Sequence, residues 1–146
     1  MKLTFKNDTF KILQIADTQE GHKVSPDTLA LINAALDREE PDLVVYSGDQ
    51  IWGRGFHGDV NQVRRVLKEL TAPVVERHLP FAICFGNHDR QVGLDNRAQF
   101  EIYKEIPGFI GEDTPGVDGV GNCVLEIADG DRPGYLLYLI DSHSSL

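Results

Sequence analysis

Three apolar runs in this chain each stop abruptly on a short polar cluster, and that repeated pattern restricts the fold more than any other feature. Phe10-Lys11-Ile12-Leu13-Gln14-Ile15-Ala16 runs into Asp17-Thr18-Gln19. Leu43-Val44-Val45-Tyr46 runs into Ser47-Gly48-Asp49, and Phe81-Ala82-Ile83-Cys84-Phe85 runs into Gly86-Asn87-His88-Asp89. A short apolar run bounded by turn residues reads as a buried strand. In open α/β sheets, ligands gather beyond the carboxyl ends of the strands. Three strands that bring Asp, Asp, Asn and His to one edge predict a hard-metal site suited to phosphate chemistry.

Between the runs the period changes. A first strand is expected over residues 11–16. Ser25 and Pro26 suit the cap and first position of a helix over residues 26–38, with Leu29, Ile32 and Leu36 on one face. Pro41 precedes a second strand, residues 42–46. A second helix is predicted over residues 60–78, with Val63, Val66, Leu67 and Leu70 inward and a kink or break at Pro73. A third strand, residues 80–85, and a short helix, residues 97–105, follow. This alternation is the signature of an α/β fold with a parallel sheet covered by helices. Then the grammar changes. Residues 108–121 read as a loop, and residues 122–128 and 135–140 as the two strands of an antiparallel hairpin.

The 146 residues fit one domain, 1–146, with a genuine core. Its last strand is followed by Asp141-Ser142-His143-Ser144-Ser145-Leu146, one more polar cluster after a strand, and the domain is read as truncated at its C-terminus. Net charge is -9, from 14 basic against 23 acidic residues, which argues against a broad nucleic-acid or anionic-membrane surface. A local phosphate site is compatible with that balance, because bound divalent cations reverse the local field. Cys84 and Cys123 lie in apolar segments without CxxC spacing and are expected as buried, reduced thiols. The polar start Met1-Lys2-Leu3-Thr4-Phe5-Lys6 is unlike a signal peptide, and no run approaches transmembrane length. A cytoplasmic protein is expected.

Asp17 and Asp49 are the leading metal-ligand candidates, and a carboxylate between two cations can bridge them. Asn87 offers a neutral oxygen, His88 can give a proton to a leaving oxygen, and Asp89 is expected to orient and polarise the His88 imidazole. Asp-x-(His), then Gly-Asp, then Gly-Asn-His-Asp, each closing a strand, resembles the calcineurin-like metallophosphoesterases. Residues 10–17 and Leu137-Tyr138-Leu139-Ile140-Asp141-Ser142 are most similar to the purple-acid-phosphatase-like, Icc-type branch. The resemblance implies the first half of a four-layer α/β/β/α sandwich. It also implies two divalent cations (Mn, Fe, Zn or Mg), with Asp17 on the first, Asp49 on both and Asn87 on the second. His88 would contact the phosphate, with Asp89 behind it. The implied reaction is hydrolysis of phosphomonoesters or phosphodiesters of small molecules, by in-line attack of a metal-bound hydroxide.

Two departures stand out. Gln19 occupies the place of the family's usual histidine; its oxygen is a weaker ligand, and His22 is the alternative. The family's later Gly-His-x-His element is missing, so the visible set is about half of a two-metal site. These departures support a second reading, a non-catalytic binding module that keeps the fold, whereas the intact His88-Asp89 pair opposes it. A doubly wound phospho-acceptor or nucleotide domain with one Mg is a third, opposed by the hairpin. Arg54, His57 and Arg90 are candidate substrate contacts, Trp52 reads as a packing residue, and Arg64, Arg65 and Lys68 as a solvated helix face. An unfinished sheet with an exposed edge would also let the fragment pair as a homodimer.

Overall fold

The computed structural model describes residues 2–143. Its centre is a parallel sheet of β2 (Ile12–Ile15), β3 (Leu43–Tyr46) and β4 (Phe81–Ile83), in that spatial order. All four residues of β3 are buried. Their alternation explains why the run is apolar throughout: Val44 and Tyr46 join a core with the helices, while Leu43 and Val45 face a second sheet. That second sheet has the order β1 (Leu3–Thr4), β5 (Cys123–Asp129), β6 (Arg132–Leu139), with β5 and β6 antiparallel as the turn chemistry predicts. Leu125, Ile127 and Leu139 press onto Leu43, Val45 and Ala82. The result is helices, sheet and sheet in three layers, the layered α/β arrangement expected.

Each helix starts where its cap places it. Ser25 Oγ accepts from Asp27 N at the head of α1 (Pro26–Glu39), Asp59 from Asn61 N at α2 (Val60–Glu76), and Asp95 from Ala98 N at α3 (Asn96–Lys104). Of the kink or break expected at Pro73, the break does not occur; α2 runs through it. Proline forfeits one intrahelical bond, but Val63, Val66, Leu67, Leu70 and Val74 are buried along the same helix. At roughly 1.5–3 kcal/mol per buried aliphatic side chain, that packing outweighs a local defect. Arg77 also donates to the Pro73 carbonyl at 2.8 Å, closing the last turn.

Two elements have no counterpart in the sequence expectation. β1 is two residues long and carries no pattern of its own; it is a strand because Leu3 and Thr4 pair with Ile127 and Ala128. Residues 89–92, for which the sequence suggests no element, form a 3₁₀ turn. Residues 108–121 form the expected loop, and it is anchored, with Phe109 packed against Phe81, Phe100 and Tyr103. β2 is the edge of its sheet and is half-exposed along its length, so one side has no strand partner among the described residues. Both cysteines are free thiols. No helix among the described residues is long and apolar enough to cross a membrane.

Candidate metal centre

The loops that leave β2 and β3 are stitched together past the ends of their strands. Asp17 N donates to Gly48 O (3.0 Å), Gln19 N to Asp49 O (2.8 Å), Glu20 N to Gln50 O (3.1 Å) and Trp52 N to Glu20 O (2.9 Å). This pairing sets Asp17 and Gln19 alongside Asp49. All three residues have left-handed backbones, with φ of 55°, 45° and 53°. Non-glycine residues in that region carry about 1 kcal/mol or more of strain each, and such strain concentrates at functional sites. The turn that follows each strand is therefore tight enough to deliver its side chain at the sheet edge.

The third cluster locks onto the second. A Cβ added to Gly86 would lie 2.2 Å from Asp49 Oδ1, so only glycine lets the β4 loop approach this closely. Asp49 is 8% exposed, and its Oδ1 accepts the His88 backbone N–H at 2.7 Å. Asp89 is 1% exposed. Its Oδ2 accepts from Asp49 N (2.9 Å) and Gly86 N (2.7 Å), and its Oδ1 from Gln50 N (2.8 Å) and Ile51 N (3.1 Å). Burial pushes the Asp89 carboxyl up to about 6, against the opposing pull of the Gly86, Ile51 and Asp49 N–H groups. From α3, Gln99 donates to the Asp89 carbonyl at 2.9 Å.

Asp89 therefore does not have the role expected of it beside His88. Both of its oxygens are occupied by backbone, and the group against the imidazole is Gln91, whose Oε1 lies 3.0 Å from His88 Nδ1. An amide oxygen only accepts, so this contact puts the proton on Nδ1 and leaves Nε2 as the unengaged ring nitrogen. Trp52 lies against the other side, its ring centroid 5.2 Å from that of His88, and the Arg54 guanidinium sits 4.1 Å over Trp52. Sequence reasoning missed Gln91, although its i+3 spacing from His88 within a turn was a usable signal. It assigned Trp52 to packing; the indole does pack, and what it packs against is His88.

The other candidates are placed unequally. Arg90 follows Asp89 and is exposed, and His57 is exposed with no side-chain hydrogen bond or ion pair among the described residues. His22 sits beside Arg54, with Nδ1 3.3 Å from its carbonyl oxygen, and lines a pocket together with Gln19. Asp141, 8% exposed, accepts from Val120 N and His143 N at 2.9 Å each and closes its own turn. Ser144, Ser145 and Leu146 of that last cluster lie outside the described residues.

The candidate donors that these three loops carry are two carboxylates, the exposed Asp17 and the buried Asp49, and two amide oxygens, Gln19 and the exposed Asn87. Among the described residues no group of three or more His, Cys, Asp or Glu could hold a metal ion. All-oxygen donors with the buried, cation-free carboxylate of Asp49 fit a hard divalent cation that keeps several of its waters. They do not complete two such cations.

A model of the calcineurin-like phosphoesterases matches residues 10–141. The chain is 32% identical over 157 residues to a Saccharomyces cerevisiae protein described as phosphatase DCR2, covering 92% of this chain and 27% of that protein. It is 27% identical to the probable inactive purple acid phosphatase 14 of Arabidopsis thaliana, over 86% of this chain and 36% of that one. It is 26% identical to an uncharacterized metallophosphoesterase of Aquifex aeolicus, over 91% of this chain and 48% of that one. The chain spans about a quarter to a half of the length of these relatives.

Proposed function

The chain belongs to the calcineurin-like phosphoesterase family, and from that premise we propose that it carries the first half of a centre that hydrolyses phosphate esters of small molecules. The observation that carries this reading is the meeting of three strand-end loops around the buried Asp49 carboxylate, with Gly86 in contact with it and His88 N bonded to it. Asp17, Gln19, Asp49 and Asn87 are the residues that would hold divalent cations. When bound, such cations supply Lewis-acid charge to the phosphoryl oxygens and lower the pKa of water. Two divalent cations remain our reading of the complete centre, and Asp49 would help to hold them.

The chain's own contribution is orientation and proton handling. Gln91 and Trp52 fix the His88 ring so that Nε2 faces the phosphate. It is the imidazolium form, with Nδ1–H kept on Gln91, whose Nε2–H hands its proton to the departing oxygen and leaves the neutral Nδ1–H ring behind. Asp89 maintains the distance between the β3 and β4 loops, so that Asp49 and His88 keep their relation as the substrate enters. The free thiols Cys84 and Cys123 support a reducing, cytoplasmic setting.

Mn titration by calorimetry on this chain and on Asp49→Ala, alongside turnover of bis-p-nitrophenyl phosphate, tests the proposal. Saturable binding lost in the variant, with turnover, is the expected result; no binding would overturn the metal assignment. A second reading, a binding module that retains the fold without the reaction, is supported by Gln19 in place of a stronger ligand and by the incomplete donor set. Mn binding without turnover would favour it.

A further inference from the structure

Acidic residues outnumber basic ones by 23 to 14, so a cation without an anionic partner is unusual here. Nine of the fourteen Lys and Arg residues form ion pairs. Lys2 and Lys11 donate to backbone carbonyls. Among the described residues this leaves Lys23, Arg54 and Arg90 with no side-chain hydrogen bond or ion pair. None of the three is scattered over the surface. Arg90 adjoins Asp89, and Lys23 and Arg54 line one open pocket of about 510 Å³ together with Gln19, Gly21, His22 and Gly55.

This pocket shares Gln19 with the candidate metal centre. Glu20, the one acidic residue in its lining, does not neutralise it: the side chain is turned away to accept from Ser25 N at 2.9 Å, and the residue is 6% exposed. Arg54 is held by its face, 4.1 Å over Trp52. A stacked guanidinium keeps its in-plane N–H groups available, which is the geometry that suits an oxyanion. His88, Trp52 and Arg54 therefore form a row that runs from the proton donor to the pocket.

We propose that the pocket lined by Lys23, His22 and Arg54 is a subsite for a second anionic group of the substrate, phosphoryl or carboxylate, on the leaving-group side of the phosphate that is hydrolysed. The naming of a scissile phosphate rests on the phosphoesterase reading above; binding of an anion in the pocket does not. The substrates selected are then phosphate esters whose alcohol portion bears its own negative charge. An uncharged leaving group would leave Lys23 and Arg54 without a counter-ion.

The test is a ¹⁵N amide titration of the chain in EDTA, at constant ionic strength, with inorganic pyrophosphate and separately with malonate. Without divalent cations the acidic centre repels both probes, so the response reports on the pocket. Saturable shifts confined to Gly21, His22, Lys23 and Gly55 are expected, weakened at least fivefold by Arg54→Gln and unchanged by Arg77→Gln. Pyrophosphate alone would identify a phosphoryl subsite, malonate alone a carboxylate one, and both would support the shared chemistry. Shifts that fail to saturate, spread over the ion-paired arginines, or persist in Arg54→Gln would overturn the subsite. Mn-dependent turnover with no anion response sinks the subsite alone; an anion response without turnover sinks hydrolysis and retains the anion site.

Discussion

Replacing Asp89 by alanine removes the acceptor for four backbone N–H groups at 2.7–3.1 Å, in a residue 1% exposed. A buried donor left unpaired costs about 1–3 kcal/mol. A water entering the vacated space has two lone pairs and could satisfy about two of the four. The net loss expected is about 3–5 kcal/mol, the range of a broken buried network, against a total stability of about 5–15 kcal/mol for a domain. With a urea slope of about 1–3 kcal/mol/M, the midpoint should fall by about 2 M. Asp89→Asn keeps one acceptor oxygen but turns an NH₂ toward the other two donors, so its loss should be somewhat smaller, about 2–3 kcal/mol. The measurement is urea denaturation at pH 7.5, where the carboxylate is ionised, followed by far-UV circular dichroism. A change below about 1 kcal/mol in Asp89→Ala would refute the reasoning, because it would mean the four donors find other partners and the carboxylate does not hold the loops.

Gln91 is exposed, so Gln91→Ala should alter stability by less than about 0.5 kcal/mol. It should nevertheless abolish the preference of His88 for the Nδ1–H tautomer, read from long-range ¹⁵N–¹H spectra of the ring. An unchanged tautomer would remove Gln91 from the site. Gly86→Ala places a methyl 2.2 Å from Asp49 Oδ1, which the loop cannot absorb without moving that carboxylate. Mn affinity by calorimetry should fall tenfold or more, about 1.4 kcal/mol; wild-type affinity would show that Asp49 is not a ligand. For Asp42, burial pushes the carboxyl up, but the Lys6 ammonium and the Lys11 N–H outweigh it and hold it below its ordinary value. Its contribution is then present above a pH of about 3.9 and lost as pH falls through the lower folded value. Because Lys6 is 74% exposed, Asp42→Asn should cost about 0.5–1 kcal/mol at pH 7 and nothing near pH 2 in thermal melts. A constant difference across that range would contradict the assignment.

The parts of the fold that were legible in the sequence are those fixed by local chemistry. The cap Ser25 marks a real helix start, and the strand before each polar cluster lies inside its apolar run. The parts that were not are decided by distant partners. Leu3 and Thr4 become a strand only because Ile127 and Ala128 arrive beside them, and helix α2 passes Pro73 because its buried face is long enough to tolerate a missing bond. At the centre, residue types marked the three strand-end clusters whose loops meet. They did not tell which acceptor each side chain meets. In a row of four polar residues the aspartate nearest a histidine is the natural partner for its ring, yet four converging N–H groups from two loops claim that carboxylate first.

The position of Asp89 also changes what the Gly-Asn-His-Asp signature certifies. Its final aspartate is a fastener between loops, needed by any chain that keeps this architecture, whether or not it turns over a substrate. A pseudoenzyme descended from this fold would retain it for the same reason that an active enzyme does. The letters that could drift once catalysis is abandoned are those whose side chains hold nothing in place, such as His88 and its companion Gln91. The final aspartate is therefore a certificate of scaffold, and the pair three residues apart is where a reaction, or its loss, would be written.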